Sequence, residues 1–181
     1  MSWTPLTSAV AGGYEEIAKF LLERGATPRS VDANGWTLLH HAAESGKREL
    51  FITLLDLGLE PMTGDRFGNT PLHIAAKNGH SPIVDLLHDR WKRLLNYSVD
   101  FPTESGRTAL HSAILSSSLP MVKLLLSPGF EADIKATDGA GRTCLMYASY
   151  QKNPDVFKYI MDRVSPDEVT RQDCMGGTPL H

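Results

Sequence analysis

The sequence predicts an all-α protein, a solenoid of stacked helix-turn-helix units. Three observations predict it. A threonine-led motif recurs along the whole chain at steps of 33, 33, 38, 35 and 35 residues. Each complete copy is followed by a second apolar stretch at helical spacing, such as Leu50, Phe51, Leu54 and Leu55. Glycine-bearing turns separate these stretches, so neither half of the unit extends into a long helix.

The fullest copy reads Asn69-Thr70-Pro71-Leu72-His73-Ile74-Ala75-Ala76-Lys77-Asn78-Gly79-His80. Thr70 can cap a helix through its hydroxyl, and Pro71 suits the first helical position, where no amide hydrogen is needed. Leu72, Ala75 and Ala76 share one face, and the alanines are small enough for another helix to approach closely. Gly79 ends the helix, and Ser81-Pro82 starts the next by the same logic. The echoes are Thr4-Pro5-Leu6, Thr37-Leu38-Leu39-His40, Thr108-Ala109-Leu110-His111, Thr143-Cys144-Leu145-Met146 and the cut-off Thr178-Pro179-Leu180-His181.

A period near 33 with a T-P-L-H-x-A core resembles the ankyrin repeat family, and the resemblance covers the whole chain. It implies one domain over 1–181, with repeats at about 2–35, 36–68, 69–106, 107–141 and 142–176 and a truncated sixth at 177–181. It further implies that the loops between repeats are β-hairpin fingers standing across the helices.

In the first repeat, Ile17, Leu21 and Leu22 share a helical face, and Gly25 stops the second helix. Asp32-Ala33-Asn34-Gly35 is turn chemistry for the first finger. The second repeat ends its outer helix at Gly58 and turns at Asp65-Arg66-Phe67-Gly68. The third departs from the plan. Where a stop glycine belongs stands Trp91, and Ile83, Leu87, Trp91, Leu94 and Leu95 keep helical spacing. The expectation is a helix about one turn longer, stopping near Asn96, with Arg90, Lys92 and Arg93 towards solvent. Its loop, Thr103-Glu104-Ser105-Gly106, lacks the aspartate of the others. The fourth repeat has Ser116-Ser117-Ser118 between its helices, read as a looser turn, and a finger at Asp138-Gly139-Ala140-Gly141. The fifth carries Val164 in place of the stop glycine and a finger at Asp173-Cys174-Met175-Gly176. Since the fifth repeat lacks the polar face of a terminal cap and the motif breaks off, the chain reads as part of a longer protein.

Composition narrows the function. A net charge of −3 and a pI near 6.1 argue against a nucleic-acid partner. Two cysteines make neither a disulfide framework nor a metal pattern, which favours a reducing compartment. No secretory leader or membrane span is legible, so a cytoplasmic or nuclear location and no membrane partner are expected. His40, His73, His111 and His181 repeat in register, but successive repeats lie about 8–10 Å apart, too far for one ion. Each such histidine is expected to bond the loop beside it. No phosphate-binding loop, nucleophile elbow or metalloprotease motif occurs, so neither catalysis, a cofactor nor a small-molecule substrate is expected.

The resemblance places partners on the concave face, made by finger tips and the ends of each first helix. Carried over by position, the partner-binding set is Trp36, Arg66, Phe67, Asn69, Lys77, Arg107, Arg142, Tyr150 and Met175. Tryptophan, tyrosine and arginine are enriched at binding hot spots, and the arginines suit carboxylates or phosphate. The competing role for Trp3 and Trp36 is packing between fingers. The expected function is a non-catalytic protein-interaction module, a scaffold or recruiting segment of a larger intracellular protein. The alternative is a regulatory or autoinhibitory segment of an enzyme or membrane protein, bound to another domain of the same protein.

Overall fold

The structure is a computed structural model that describes residues 3–92, 98–151 and 153–180. These residues form helices α1 (Pro5–Ala11), α2 (Glu15–Glu23), α3 (Leu38–Ser45), α4 (Arg48–Asp56), α5 (Pro71–Asn78), α6 (Ser81–Trp91), α7 (Ala109–Leu115), α8 (Leu119–Leu125), α9 (Cys144–Tyr150), α10 (Pro154–Met161) and α11 (Pro166–Thr170). No strand occurs among them, and one isolated antiparallel bridge joins Thr137 to Thr143. The all-α fold follows from the alternation of capped, proline-started helices with glycine turns.

The first helices of successive pairs, α1, α3, α5, α7 and α9, pack each against the next and form an inner layer. The second helices form an outer layer, in which α2 meets α4, α4 meets α6 and α8 meets α10. Between the layers lies one continuous core. Its inner side contains Leu39, Ala43, Leu72, Ala76, Leu110 and Ala113, and its outer side Phe51, Leu54, Ile83, Leu87, Met121 and Val156. Alanine pairs let the inner helices come close, while the larger leucines and isoleucines fill the wedge behind them.

The threonine caps follow the sequence pattern. Thr4, Thr37, Thr70, Thr108 and Thr143 all hold extended backbone immediately before a helix. At Thr70, the backbone N–H donates to His73 Nδ1 at 3.2 Å, and the hydroxyl lies 2.9 Å from the same nitrogen. The Thr37–His40 and Thr108–His111 pairs repeat this geometry.

Three local expectations are revised, and Ile17 and α11 add two features that the pattern does not specify. Helix α6 starts at Ser81, one residue earlier than the serine-cap reading, with His80 as its cap. It ends at Trp91, two residues beyond the register of α4, and Lys92 caps it. Arg93, Leu94, Leu95 and Asn96 lie outside the described residues, as does the side chain of Trp91. The serine turn of the fourth pair is not loose. Ser117 adopts φ 57, and Ser118 N donates to Ala113 O at 3.1 Å, matching His80 N to Ala75 O at 2.9 Å. Asn153 Nδ2 steadies that turn by donating to Ser117 O. Ile17, which shares a face with Leu21 and Leu22, is exposed, because α2 packs mainly against α1 and α4 and turns Ala18 inward. Helix α11 was not anticipated, although Ser165-Pro166-Asp167-Glu168 supplies a cap, a first-position proline and an acidic first turn.

Candidate functional site

Each finger is closed by one oxygen. Asp65 Oδ1 accepts from Phe67 N and Asn69 N, both at 2.8 Å. Asp32, Asp138 and Asp173 make the same pair of bonds to residues two and four positions on. In the third finger, Thr103 Oγ1 takes the aspartate's place and accepts from Arg107 N at 3.0 Å. The lost aspartate therefore costs the finger a charge but not its closure.

Fingers are also joined to each other. Arg66 N donates to Asn34 O, Glu104 N to Phe67 O, Gly139 N to Ser105 O and Cys174 N to Ala140 O, at 2.8–3.0 Å. One rung links each neighbouring pair, so the five tips stand in a row. Below the tips runs a second row, formed by the residue preceding each cap threonine: Trp3, Trp36, Asn69, Arg107 and Arg142.

The members of this second row are half-exposed, apart from the more open Trp3, and most are braced by a finger. Trp36 donates its indole N–H to Asp65 Oδ2 at 3.1 Å and packs against His40 and His41. Asn69 donates to both carboxylate oxygens of Asp65. Arg107 Nε donates to Ser105 Oγ at 2.9 Å. Arg142 pairs with Asp138 through two nitrogens and lies over the Tyr147 ring. Burial pushes the Asp65 and Asp138 carboxyls up, but the hydrogen bonds they accept outweigh it and hold both below the usual range. Both carboxylates therefore stay ionised in the finger.

The remaining expected residues are more open. Phe67 is 63% exposed, Tyr150 61% and Met175 88%, and Arg66 and Lys77 are exposed as well. Arg66, Phe67 and Met175 stand on finger tips, whereas Lys77 and Tyr150 occupy the far ends of α5 and α9. The fold thus distributes the nine expected residues over tips, finger bases and inner helix ends. Trp36, Asn69, Arg107 and Arg142 also serve the fingers themselves. Trp3 is not among the nine, yet it holds the register that singles out Trp36. Its ring meets His41 edge-on at 5.3 Å.

The interior histidines are structural in geometry. Because Nδ1 accepts from the cap threonine, the proton sits on Nε2, which points at the following finger. His40 Nε2 donates to Asn69 O at 2.8 Å and His73 Nε2 to Arg107 O at 3.2 Å. Burial depresses His73 and His111 to about 4 and lowers His40 too. Among the described residues no group of three or more His, Cys, Asp or Glu is placed to hold a metal ion. Burial raises the Cys144 thiol, which keeps it protonated and a poor nucleophile. No helix of the described residues is long and apolar enough to cross a membrane.

Comparison with known proteins agrees with this architecture. The profile "Ankyrin repeats (3 copies)" matches residues 1–65 and 57–138, and "Ankyrin repeats (many copies)" matches 117–160. Protein phosphatase 1 regulatory subunit 27 of Homo sapiens is 41% identical over 69 residues, 38% of this chain and 44% of that protein. Its Mus musculus counterpart is 36% identical over 84 residues, 46% of this chain and 53% of that protein. The chain thus spans about half the length of these two relatives. The Notch-regulated ankyrin repeat-containing protein of Xenopus laevis is 29% identical over 87 residues, 47% of this chain and 75% of that protein. The recurring cap, the paired helices, the finger ladder and the profile matches converge: the chain belongs to the ankyrin repeat family.

Proposed function

We propose that the chain is a non-catalytic protein-interaction module that binds its partner along the finger tips and the inner helix layer, as one domain built from the repeats delimited above. The observation that carries this reading is the placement of Arg66, Phe67, Lys77, Tyr150 and Met175. The fold needs no large side chain at these sites, and all five are exposed. Arg66 and Tyr150 are of types that anchor interfaces, and Phe67 and Met175 of types enriched in them. A pull-down comparing the chain with its Arg66→Glu/Phe67→Ala variant tests it. Loss of the captured protein with helicity intact is expected, and equal capture by both overturns the reading.

A second reading, a regulatory segment acting on an enzyme, is favoured by the phosphatase regulatory subunits among the relatives. In it the same face holds a catalytic subunit, or another domain of the same protein. Co-purification of a phosphatase catalytic subunit with the chain, abolished by the same double substitution, is its distinguishing result.

A further inference from the structure

Charge is not spread evenly over the stack. The outer helices carry Glu15, Glu16, Glu23, Glu49, Asp56, Asp85, Asp89 and Asp155, interspersed with fewer bases. On the inner side, Asp32, Asp65, Asp138 and Asp173 accept finger N–H groups. From the second repeat to the start of the fifth, that leaves Arg66, Lys77, Arg107 and Arg142 against Glu44, at the far end of α3, and Glu104. The acidic total thus masks a basic strip.

Within the strip Arg107 is prepared for a ligand. Ser105 Oγ fixes its Nε, and its two terminal nitrogens have no hydrogen-bond partner among the described residues. A guanidinium held at one nitrogen keeps its fork free and loses little side-chain entropy when a carboxylate arrives. Arg142, the next in the row, is already neutralised by Asp138 and offers only residual donors. Two repeats before Arg107, the ring of Trp36 presents a half-exposed shelf between Asp65 and the His40–His41 pair.

Resting on the binding face assigned above, we propose that this strip takes an extended acidic segment of a partner protein. It lies along the Trp36–Asn69–Arg107–Arg142 row and docks a carboxylate on Arg107. The spacing sets its sequence. Repeats advance about 10 Å and an extended chain about 3.3 Å per residue, so one repeat matches roughly three residues. An apolar side chain on Trp36 therefore stands about six residues from the carboxylate on Arg107, with Arg66 and Lys77 flanking the path. Positive groups spread one per repeat suit carboxylates spaced along a chain better than one compact dianion. The acidic outer layer disfavours a polyanion that would wrap the stack.

The test is selection of random peptides of about fourteen residues displayed on phage against the whole chain. Affinities of the winners are then measured by fluorescence anisotropy at low and high salt. Winners are expected to carry an acidic residue about six positions from an apolar one. They should weaken severalfold in high salt and bind Arg107→Glu about tenfold or more weakly. Circular dichroism checks the variant's fold, and Arg107→Gln, which can still donate to Ser105, substitutes if the reversal unfolds it. Neutral winners that ignore Arg107→Glu and Arg107→Gln but are lost on Phe67→Ala or Tyr150→Ala overturn the acidic segment and leave the face assignment standing. Winners indifferent to every substitution on the inner face overturn both. An absence of winners, or single-stranded DNA binding as tightly as the best peptide, also overturns the acidic segment.

Discussion

In the second, third and fourth helix pairs a histidine at the third helical position fastens its own threonine cap, and in the second and third it also reaches the carbonyl of the following finger. In the fifth pair Met146 occupies that position, and its sulfur only accepts from Thr143 N at 3.4 Å. There the polar ties run backwards instead. Tyr147 donates to Asp138 Oδ2 at 2.8 Å, which binds α9 to the finger before it. The second and third pairs are therefore tied forward by a side chain, whereas the fifth leans on the fourth, and the fifth finger is joined by a backbone rung to the fourth finger. The motif thus has two separable halves: the threonine makes a helix, and the histidine joins one repeat to the next.

Acid should break the comparison most strongly. The buried His73 and His111 rings stay neutral down to about pH 4, while the unfolded rings take up protons near their ordinary 6.5. The stability these rings lend is whole above pH 6.5 and drains as pH falls towards 4. The loss is roughly 3 kcal/mol for each ring at pH 4. Asp65 and Asp138, held below the usual carboxylate range, add a further loss only at still lower pH. Urea denaturation between pH 7 and about pH 4 checks this. A midpoint that stays constant over that range contradicts the neutral-ring lock.

Substitution should separate the two regions next. His73→Ala strands the Thr70 amide, removes one of the two hydrogen bonds that the Arg107 carbonyl accepts and opens a cavity, and should cost about 3 kcal/mol or more. Met146→Ala leaves a cavity and one weak bond unmade, so its cost should be about 2 kcal/mol. Paired urea titrations measure the difference, and equal losses remove the distinction drawn between the pairs.

The fingers give a smaller contrast. Gly106 and Gly176 share nearly the same backbone, with φ 78 and φ 79. A methyl group at Gly106 would meet Gly139 N at 2.5 Å, in the rung between fingers three and four, whereas at Gly176 it meets nothing within 4 Å. Gly176→Ala should cost about 1 kcal/mol of backbone strain, and Gly106→Ala about 1–2 kcal/mol more. Thermal unfolding of the two variants checks the order.

The finest test restores the missing joint. Met146→His places a ring where Nε2 can reach the Gly177 carbonyl, which already accepts from Asp173 N just as Asn69 O accepts from Asp65 N. A gain of about 1 kcal/mol at neutral pH is expected, with a steeper decline in acid. Hydrogen exchange of α9 and α10 should slow above pH 7, and unchanged exchange rules out the forward joint there.

Much of this fold is legible in the sequence because its determinants are local. Thr70-Pro71 and its echoes specify helix starts within four residues, and the period of the motif then fixes the stacking. What sequence reading missed depends on distance or on substitution by a different group. For Trp36 the sequence leaves a partner anchor and packing between fingers both open, and only its bond to Asp65, 29 positions away, shows it bracing a finger. Thr103 reads as a lost aspartate although its hydroxyl closes the loop. Ile17 has the spacing of a core residue, but it stays exposed on α2, which packs mainly against α1 and α4. For the candidate site, type and register pointed to Arg66, Phe67, Tyr150 and Met175, which the structure leaves open. Only coordinates could show that Arg107 and Arg142, identical in type and register, differ in how much of each guanidinium is already engaged.

The ladder between fingers is made wholly of main-chain atoms. Adjacent tips as unlike as Arg66-Phe67, Glu104-Ser105 and Gly139-Ala140 therefore make the same rung. Mutation can rewrite a tip without disturbing the joint beneath it, and a duplicated repeat arrives with a compatible joint already in place. On the binding face proposed above, descendants of this chain are thus free to exchange partners by drift at the tips, at almost no cost in folding.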